Sequence, residues 1–208
     1  MQQKFEDLRA NLDEFIQQTD YSLLLVSCRP EDCAFIARFL DGQDGARPES
    51  FFIVWPGEFA EATGYVSALV TFLESRLEDA KPARAERGAR PFPPLPAELK
   101  DERRDPVERF RQWLSFLVKL LDDPRSQSFV IGLLPSACSD PAGYARLIGS
   151  VLPIPARPEW VEPLRIVAFD PKDAPQLFPL LEKQDADTVL TWEVDFSTPA
   201  LTDALSRE

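Results

Sequence analysis

The stretch YSLLLVSCRPEDCAFIARFL, residues 21–40, decides the fold of this 208-residue chain. Its first seven residues are a nearly continuous apolar run, which is typical of a strand buried on both faces of a parallel sheet. The loop SCRPEDC comes next, and the residues after it repeat at helical spacing: Phe35, Ile36, Phe39 and Leu40. A buried strand, a short loop and a helix in this order predict an α/β domain.

The same alternation recurs along the chain. Four further strands are predicted at 50–55, 127–135, 163–170 and 187–195. The connections between them are too long for hairpins, which favours parallel strands with helices on both faces. We therefore predict a three-layer α/β sandwich with a five-stranded parallel sheet, in a single domain that covers residues 1–208.

Helices are predicted before and between these strands. An amphipathic helix at 2–19 packs on the core, and a helix of about five turns follows the second strand. Asp105-Pro106 and Asp140-Pro141 begin two further helices, because aspartate caps a first turn and proline fits its first position. Asp170-Pro171 and Thr198-Pro199 begin the last two by the same logic.

The composition excludes several functions. A formal net charge of −12 opposes binding to nucleic acid or to an anionic membrane surface. The chain has no histidine, which removes Ser-His and Cys-His nucleophiles and histidine metal sites. Three cysteines are too few for a structural zinc site, so we expect neither a metal nor another cofactor.

The sequence also predicts where the protein works. No apolar run reaches the length of about 18 residues that spans a bilayer, and the polar N-terminus is unlike a signal peptide. An odd, small number of cysteines agrees with a reducing compartment. We expect a cytoplasmic protein, and its abundant arginine, alanine and proline suggest a bacterial source with a GC-rich genome.

A Pro/Arg-rich excursion interrupts the alternation at residues 80–104. It has no hydrophobic period, so we predict that it is partly disordered, with PFPPLP extended as polyproline II. Residues 81–111 carry nine Lys or Arg and six Asp or Glu, a net +3 against −15 for the rest of the chain. Such a segment is either a solvated loop or a basic arm for an acidic partner.

The five strands, with the loops and helix starts that separate them, resemble the core of P-loop NTPases, in particular the AAA-plus and STAND groups. The resemblance implies the strand order five, one, four, three, two, and a phosphate loop G-x-x-x-x-G-K-[ST] after the first strand. That place is held by Ser27, Cys28, Arg29, Pro30, Glu31, Asp32 and Cys33. These residues include no glycine and no lysine, and two carboxylates occupy the positive end of the next helix, where a phosphate would bind.

Two other parts that the resemblance implies are missing from the sequence. The family places an acidic Mg²⁺ residue at the end of the third strand, where this chain has Leu134 or Pro135. The family also follows its fifth strand with a helical lid, for which we find no sequence before Glu208. The resemblance therefore implies a degenerate domain that lacks both the Walker A and the Walker B residues.

We therefore predict a non-catalytic protein-interaction module, an adaptor or assembly factor that forms a hetero-complex with protein partners. The residues predicted to contact a partner are Trp55, Trp160, Arg84, Arg87, Arg90, Arg103 and Arg104. One alternative is a nucleotide-binding regulator that uses Arg29 and Ser136. Another is an enzyme that depends on a cysteine of the degenerate loop, since a helix start lowers a thiol pKa while its neighbouring carboxylates raise it.

Overall fold

The computed structural model describes residues 2–18, 20–45, 47, 49–150, 161–182 and 189–194. Five strands and seven helices alternate along these residues. The strands are β1 (Leu23–Cys28), β2 (Ser50–Trp55), β3 (Ser128–Leu133), β4 (Leu164–Pro171) and β5 (Val189–Glu193). The helices are α1 (Gln2–Gln17), α2 (Pro30–Asp41), α3 (Ala62–Glu86), α4 (Ala97–Lys100), α5 (Pro106–Val118), α6 (Pro141–Gly149) and α7 (Phe178–Glu182).

The strands form one sheet in the order β2-β3-β4-β1-β5, and every pairing is parallel. Read from the other edge, this is the predicted order five, one, four, three, two. The α/β class and the five-stranded parallel sheet are thus confirmed. The closer likeness to P-loop NTPases stays a prediction.

The sheet is buried on both faces, which explains the continuous apolar run in β1. Leu23 and Leu25 face one hydrophobic cluster, together with α3, α5, α6 and α7. Leu24 and Val26 face the other cluster, together with α1 and α2. Helices cover both sides of the strands, so side chains on either face of β1 enter an apolar core.

The third helix is longer than predicted. It contains 25 residues, about seven turns where about five were predicted, and it continues through Pro82 to Glu86. An α-helix of that length spans about 37 Å, whereas a six-residue strand spans about 20 Å. The end of α3 therefore projects past the amino ends of the strands.

The excursion at 80–104 also differs from its prediction as a partly disordered segment. Its first residues belong to α3, and α4 lies near its end. Phe92, Leu95 and Leu99 pack against the larger hydrophobic cluster. These contacts are with residues far away in the sequence, so no local period announces them. We call residues 81–104 the arm.

The predicted helix starts have mixed outcomes. Asp105 and Asp140 cap α5 and α6 as predicted, each accepting a first-turn N–H. Asp170 does not begin a helix at Pro171, because both residues belong to β4 and the next helix begins only at Phe178. Thr198 lies outside the described residues. None of the described helices is both long and apolar enough to cross a membrane.

Candidate functional site

The carboxyl ends of β1, β3 and β4 form the edge of the sheet that we call the rim. From the rim, the chain leaves β1 for α2 on one face, and leaves β3 and β4 for α6 and α7 on the other. Neighbouring connections that part in this way open a crevice, which is where open α/β sheets bind ligands. A cavity of about 460 Å³ lies here, and its walls come from all three loops.

The charged side chains of the degenerate loop after β1 pair with one another. Pro30 opens α2, and Glu31 and Asp32 occupy its first turn, as predicted. The Arg29 guanidinium lies 3.5 Å from the Glu31 carboxylate and 3.6 Å from Asp32 Oδ2. Asp32 is buried, and its N–H donates to the Arg29 carbonyl at 2.9 Å. The single positive charge of the loop is therefore shared between two carboxylates, which leaves little of it for a phosphate.

The cysteines of this loop form a buried pair. Cys28 Sγ and Cys33 Sγ are 3.7 Å apart, and both residues are fully buried. The hydrogen bond with Cys33, followed by burial, holds the pKa of Cys28 far above its usual range. A thiol must ionise to act as a nucleophile or a metal ligand, so this environment opposes the cysteine-enzyme alternative. Within the described residues, no three Cys, Asp or Glu side chains are grouped to hold a metal ion.

The other loops of the rim use their carboxylates on backbone N–H groups. Asp140 accepts the Gly143 N–H at 2.8 Å. Asp170, only 2% exposed, accepts three N–H groups at distances of 2.8 to 3.0 Å, those of Gln176, Leu177 and Phe178. These carboxylates therefore order the loops after β3 and β4. Sequence analysis identified both aspartates as caps but did not find the three donors of Asp170, which follow it by six to eight residues.

Tyr144 bridges the carboxyl ends of β3 and β4. Its hydroxyl donates to the Leu133 carbonyl at 2.6 Å and accepts the Phe169 N–H at 3.3 Å. Leu133 and Ala168 are the last paired residues of these strands, so the tyrosine continues the ladder where the strands part. Burial raises the pKa of Tyr144 well above its usual value. The sequence predicted only the helix that carries Tyr144, since nothing local signals this bridge.

The two tryptophans predicted to contact a partner have different outcomes. Trp55 is half-buried at the end of β2, and its ring centroid lies 5.0 Å from that of Phe72. The ring also fills the space where a side chain at position 57 would begin, which explains Gly57. Trp55 therefore has a packing role. Trp160 lies outside the described residues.

The five predicted arginines all lie in the arm, and three of them are paired with carboxylates of the described residues. Arg103 pairs with Asp101, and Arg104 lies 4.0 Å from the Glu108 carboxylate. Arg84 pairs with Asp122 after α5 at 2.7 Å and also stacks on Phe92. Arg87 and Arg90 are exposed.

The alternative nucleotide site gains no phosphate donors from this geometry. Ser136 is exposed after β3, and its N–H donates to the Pro56 carbonyl at 3.1 Å. Its intended partner Arg29 is engaged with carboxylates of its own loop. Comparisons with known protein families, curated proteins and solved structures found no match for this chain. The resemblance to P-loop NTPases thus rests on the alternation and order of the strands.

Proposed function

We propose that this protein is a non-catalytic interaction module, a degenerate P-loop-NTPase-like domain that binds a protein partner in a hetero-complex. The rim supports the non-catalytic half of the proposal. A phosphate loop works by pointing free backbone N–H groups at the phosphates. Here Pro30 and Pro141 remove the first N–H of α2 and α6, while Asp140 accepts another at the start of α6.

The observation that carries the proposal is the arm, which is held in place at one side and exposed at the other. Arg84 connects the end of α3 to Asp122, lies 4.5 Å above the Phe92 ring and donates to the Arg90 carbonyl. Asp122 follows α5 and precedes β3, so these contacts fix the arm at the amino-end edge of the sheet, opposite the rim. Arg87 and Arg90 are presented on this ordered support.

The charge of the arm defines the partner. Residues 81–90 contain four basic side chains and one acidic one, on a protein whose net charge is −12. Arginine is enriched where interfaces are energetically important, and its planar group pairs with carboxylates in two-point contacts. An acidic protein surface fits this end of the molecule, whereas nucleic acid and anionic membranes are repelled by the rest of it.

Calorimetry tests the non-catalytic half. ATP, ADP and GTP, each with Mg²⁺ at millimolar concentration, are titrated into the protein, and we expect no binding heat. A dissociation constant in the micromolar range for any of them contradicts the proposal and favours the nucleotide-binding alternative.

Quantitative co-purification from the native cell tests the arm. The double variant Arg87→Glu/Arg90→Glu should lose a stoichiometric partner that the unchanged protein retains. The matched control is Arg9→Glu/Arg38→Glu, which makes the same charge change at exposed positions of α1 and α2. Circular dichroism establishes that both variants fold. Recovery of the partner by the arm variant at the level of the control would exclude the arm as the contact surface.

A further inference from the structure

We propose that the rim cavity binds a small, uncharged and mainly apolar molecule, a site separate from the arm. Its volume of about 460 Å³ lies in the range of ligand pockets in proteins, roughly 300 to 1,000 Å³. It also lies where the connections from the neighbouring strands β1 and β4 part to opposite faces, the usual place for a ligand in an open α/β sheet.

The walls of the cavity are rigid. Four prolines line it: Pro30, Pro135, Pro141 and Pro171. Proline has a fixed φ angle, and these four stand at the start of α2, after β3, at the start of α6 and at the end of β4. Asp170 and Tyr144 hold those loops through buried hydrogen bonds. A cavity that is formed in advance loses little conformational entropy when it takes up a ligand.

The walls offer little to an anion. Pro30 and Pro141 stand at the first positions of α2 and α6, so neither helix start has its first N–H to donate. The Gly143 N–H in the first turn of α6 is bonded to Asp140, and no Lys or Arg is among the residues that line the cavity. A carboxylate or phosphate group would leave water with no positive charge in the walls to compensate it, and it would approach the Asp140 carboxylate, which lines the cavity.

The carboxylates of Asp140 and Asp170 are also poor sites for a cation. Asp140 already accepts a backbone N–H and lies 3.9 Å from the Arg146 guanidinium. Asp170 is 2% exposed and accepts three N–H groups, so it does not point a free charge into the cavity. With both signs of charge disfavoured and with Phe169, Ala142 and Ala174 among the lining residues, the chemistry fits a neutral ring or short hydrocarbon group.

Cys138 lies in the wall and reports on occupancy. It is the half-exposed cysteine, whereas Cys28 and Cys33 are buried. Burial raises the pKa of Cys138 to about 11, so its thiol is neutral at physiological pH and contributes an apolar surface. A molecule in the cavity should therefore shield Cys138 from thiol reagents and leave the other two cysteines unaffected.

The experiment measures how fast Cys138 reacts with neutral methyl methanethiosulfonate at pH 8, followed by intact mass. In this reaction the thiolate forms a mixed disulfide and methanesulfinate leaves, so no further oxidant is needed. Indole is the neutral probe, and indole-3-acetate presents the same ring with a carboxylate. A dissociation constant of about 1 mM gives roughly sixfold protection at about 5 mM indole. We expect that protection from indole and less than about twofold from indole-3-acetate.

Two variants localise the effect. Ala142→Trp places a large side chain in the cavity and should abolish protection by indole, while Ala10→Trp on the exposed side of α1 should leave it unchanged. If Ala142→Trp does not fold, Ala174→Trp in the loop after β4 serves the same purpose. No protection by indole, equal protection by both probes, or protection that persists in the filled variant would each overturn the proposal. None of these results depends on the partner or on nucleotide calorimetry, so the two proposals fail separately.

Discussion

The rim and the arm are built from similar residues and use them in opposite ways. Both are loops rich in proline and charge, and they lie at opposite ends of the sheet. At the rim, the carboxylates of Asp140 and Asp170 accept hydrogen bonds from backbone N–H groups of the same chain. In the arm, Arg84 is paired with the Asp122 carboxylate, while Arg87 and Arg90 remain exposed. A charged loop is therefore available for binding only where the fold has not already used its charges.

The largest predicted effect is at the base of the arm. Arg109 is 1% exposed and donates to the Leu99 carbonyl at 2.9 and 3.1 Å and to the Ser67 hydroxyl at 3.0 Å. Arg109→Ala removes these bonds and leaves a buried carbonyl without its donor, so we expect a loss of about 3 kcal/mol in the free energy of unfolding. Urea denaturation measures it.

A matched control for this change is Arg111→Ala, two residues further along α5. Arg111 also donates to a carbonyl, that of Ser150, but from an exposed position. We expect less than about 1 kcal/mol from it, since water replaces the lost bond. Equal losses from both variants would mean that Arg109 does not anchor the arm through its buried contacts.

The second prediction concerns the rim. Asp170→Ala should cost about 2 kcal/mol, because three N–H groups lose their acceptor in a buried loop. Asp170→Asn retains one oxygen for two of these donors and should lose about half as much. Asp173→Ala, an exposed aspartate in the same loop, is the control and should be neutral within about 0.5 kcal/mol. A neutral Asp170→Ala would contradict the role assigned to this carboxylate.

The third prediction is a loss of stability at alkaline pH that comes from the core beneath the rim. Burial raises the pKa of Tyr65 and of Tyr144 above their usual value of about 10. Their contribution to stability is complete below about pH 10 and is lost as the pH rises, because only the unfolded chain releases these protons readily. Urea denaturation at pH 8 and pH 11 should show this fall.

Tyr65→Phe sharpens the test. The Tyr65 hydroxyl is buried and has no hydrogen-bond partner among the described residues, so its removal should change the stability at pH 8 by no more than about 0.5 kcal/mol. At pH 11 the variant should gain about 1 kcal/mol relative to the unchanged protein. Tyr21→Phe, at a half-exposed position, is the control. An identical fall with pH in the Tyr65 variant would show that this hydroxyl does not contribute.

The rim and the arm also show how much of the structure can be predicted from the sequence. Local patterns predict the strands, since a parallel strand buried on both faces needs a run such as Leu23–Val26, and they predict the caps of α5 and α6 from single aspartates. The strand order came from the resemblance. Local patterns do not predict that the arm is ordered. Phe92, Leu95 and Leu99 are held by packing against a hydrophobic cluster that contains residues of α3 and α5.

The rim shows the same division. The absence of phosphate donors was readable from SCRPEDC, since it depends on the identity of neighbouring residues. The cavity and the Tyr144 bridge were not, because the cavity is enclosed by the loops after three different strands, and Tyr144 bridges groups that lie 11 and 25 residues away. Chemistry that a loop excludes is therefore easier to predict than the space that several loops enclose.

The smallest effect is expected at the tip of the arm, where Arg84 makes its contacts. Arg84→Ala removes the pair with Asp122 and the contact with Phe92, but the site is partly solvated, so we expect a loss of about 1 kcal/mol or less. Amide hydrogen exchange should accelerate within residues 84–92 and not at α4, which Arg109 holds independently. Arg103→Ala, whose pair with Asp101 is exposed, should leave that exchange unchanged. If exchange in the tip is equally slow without Arg84, the order of the arm comes from α3 alone, and the exposed arginines need another explanation for their fixed position.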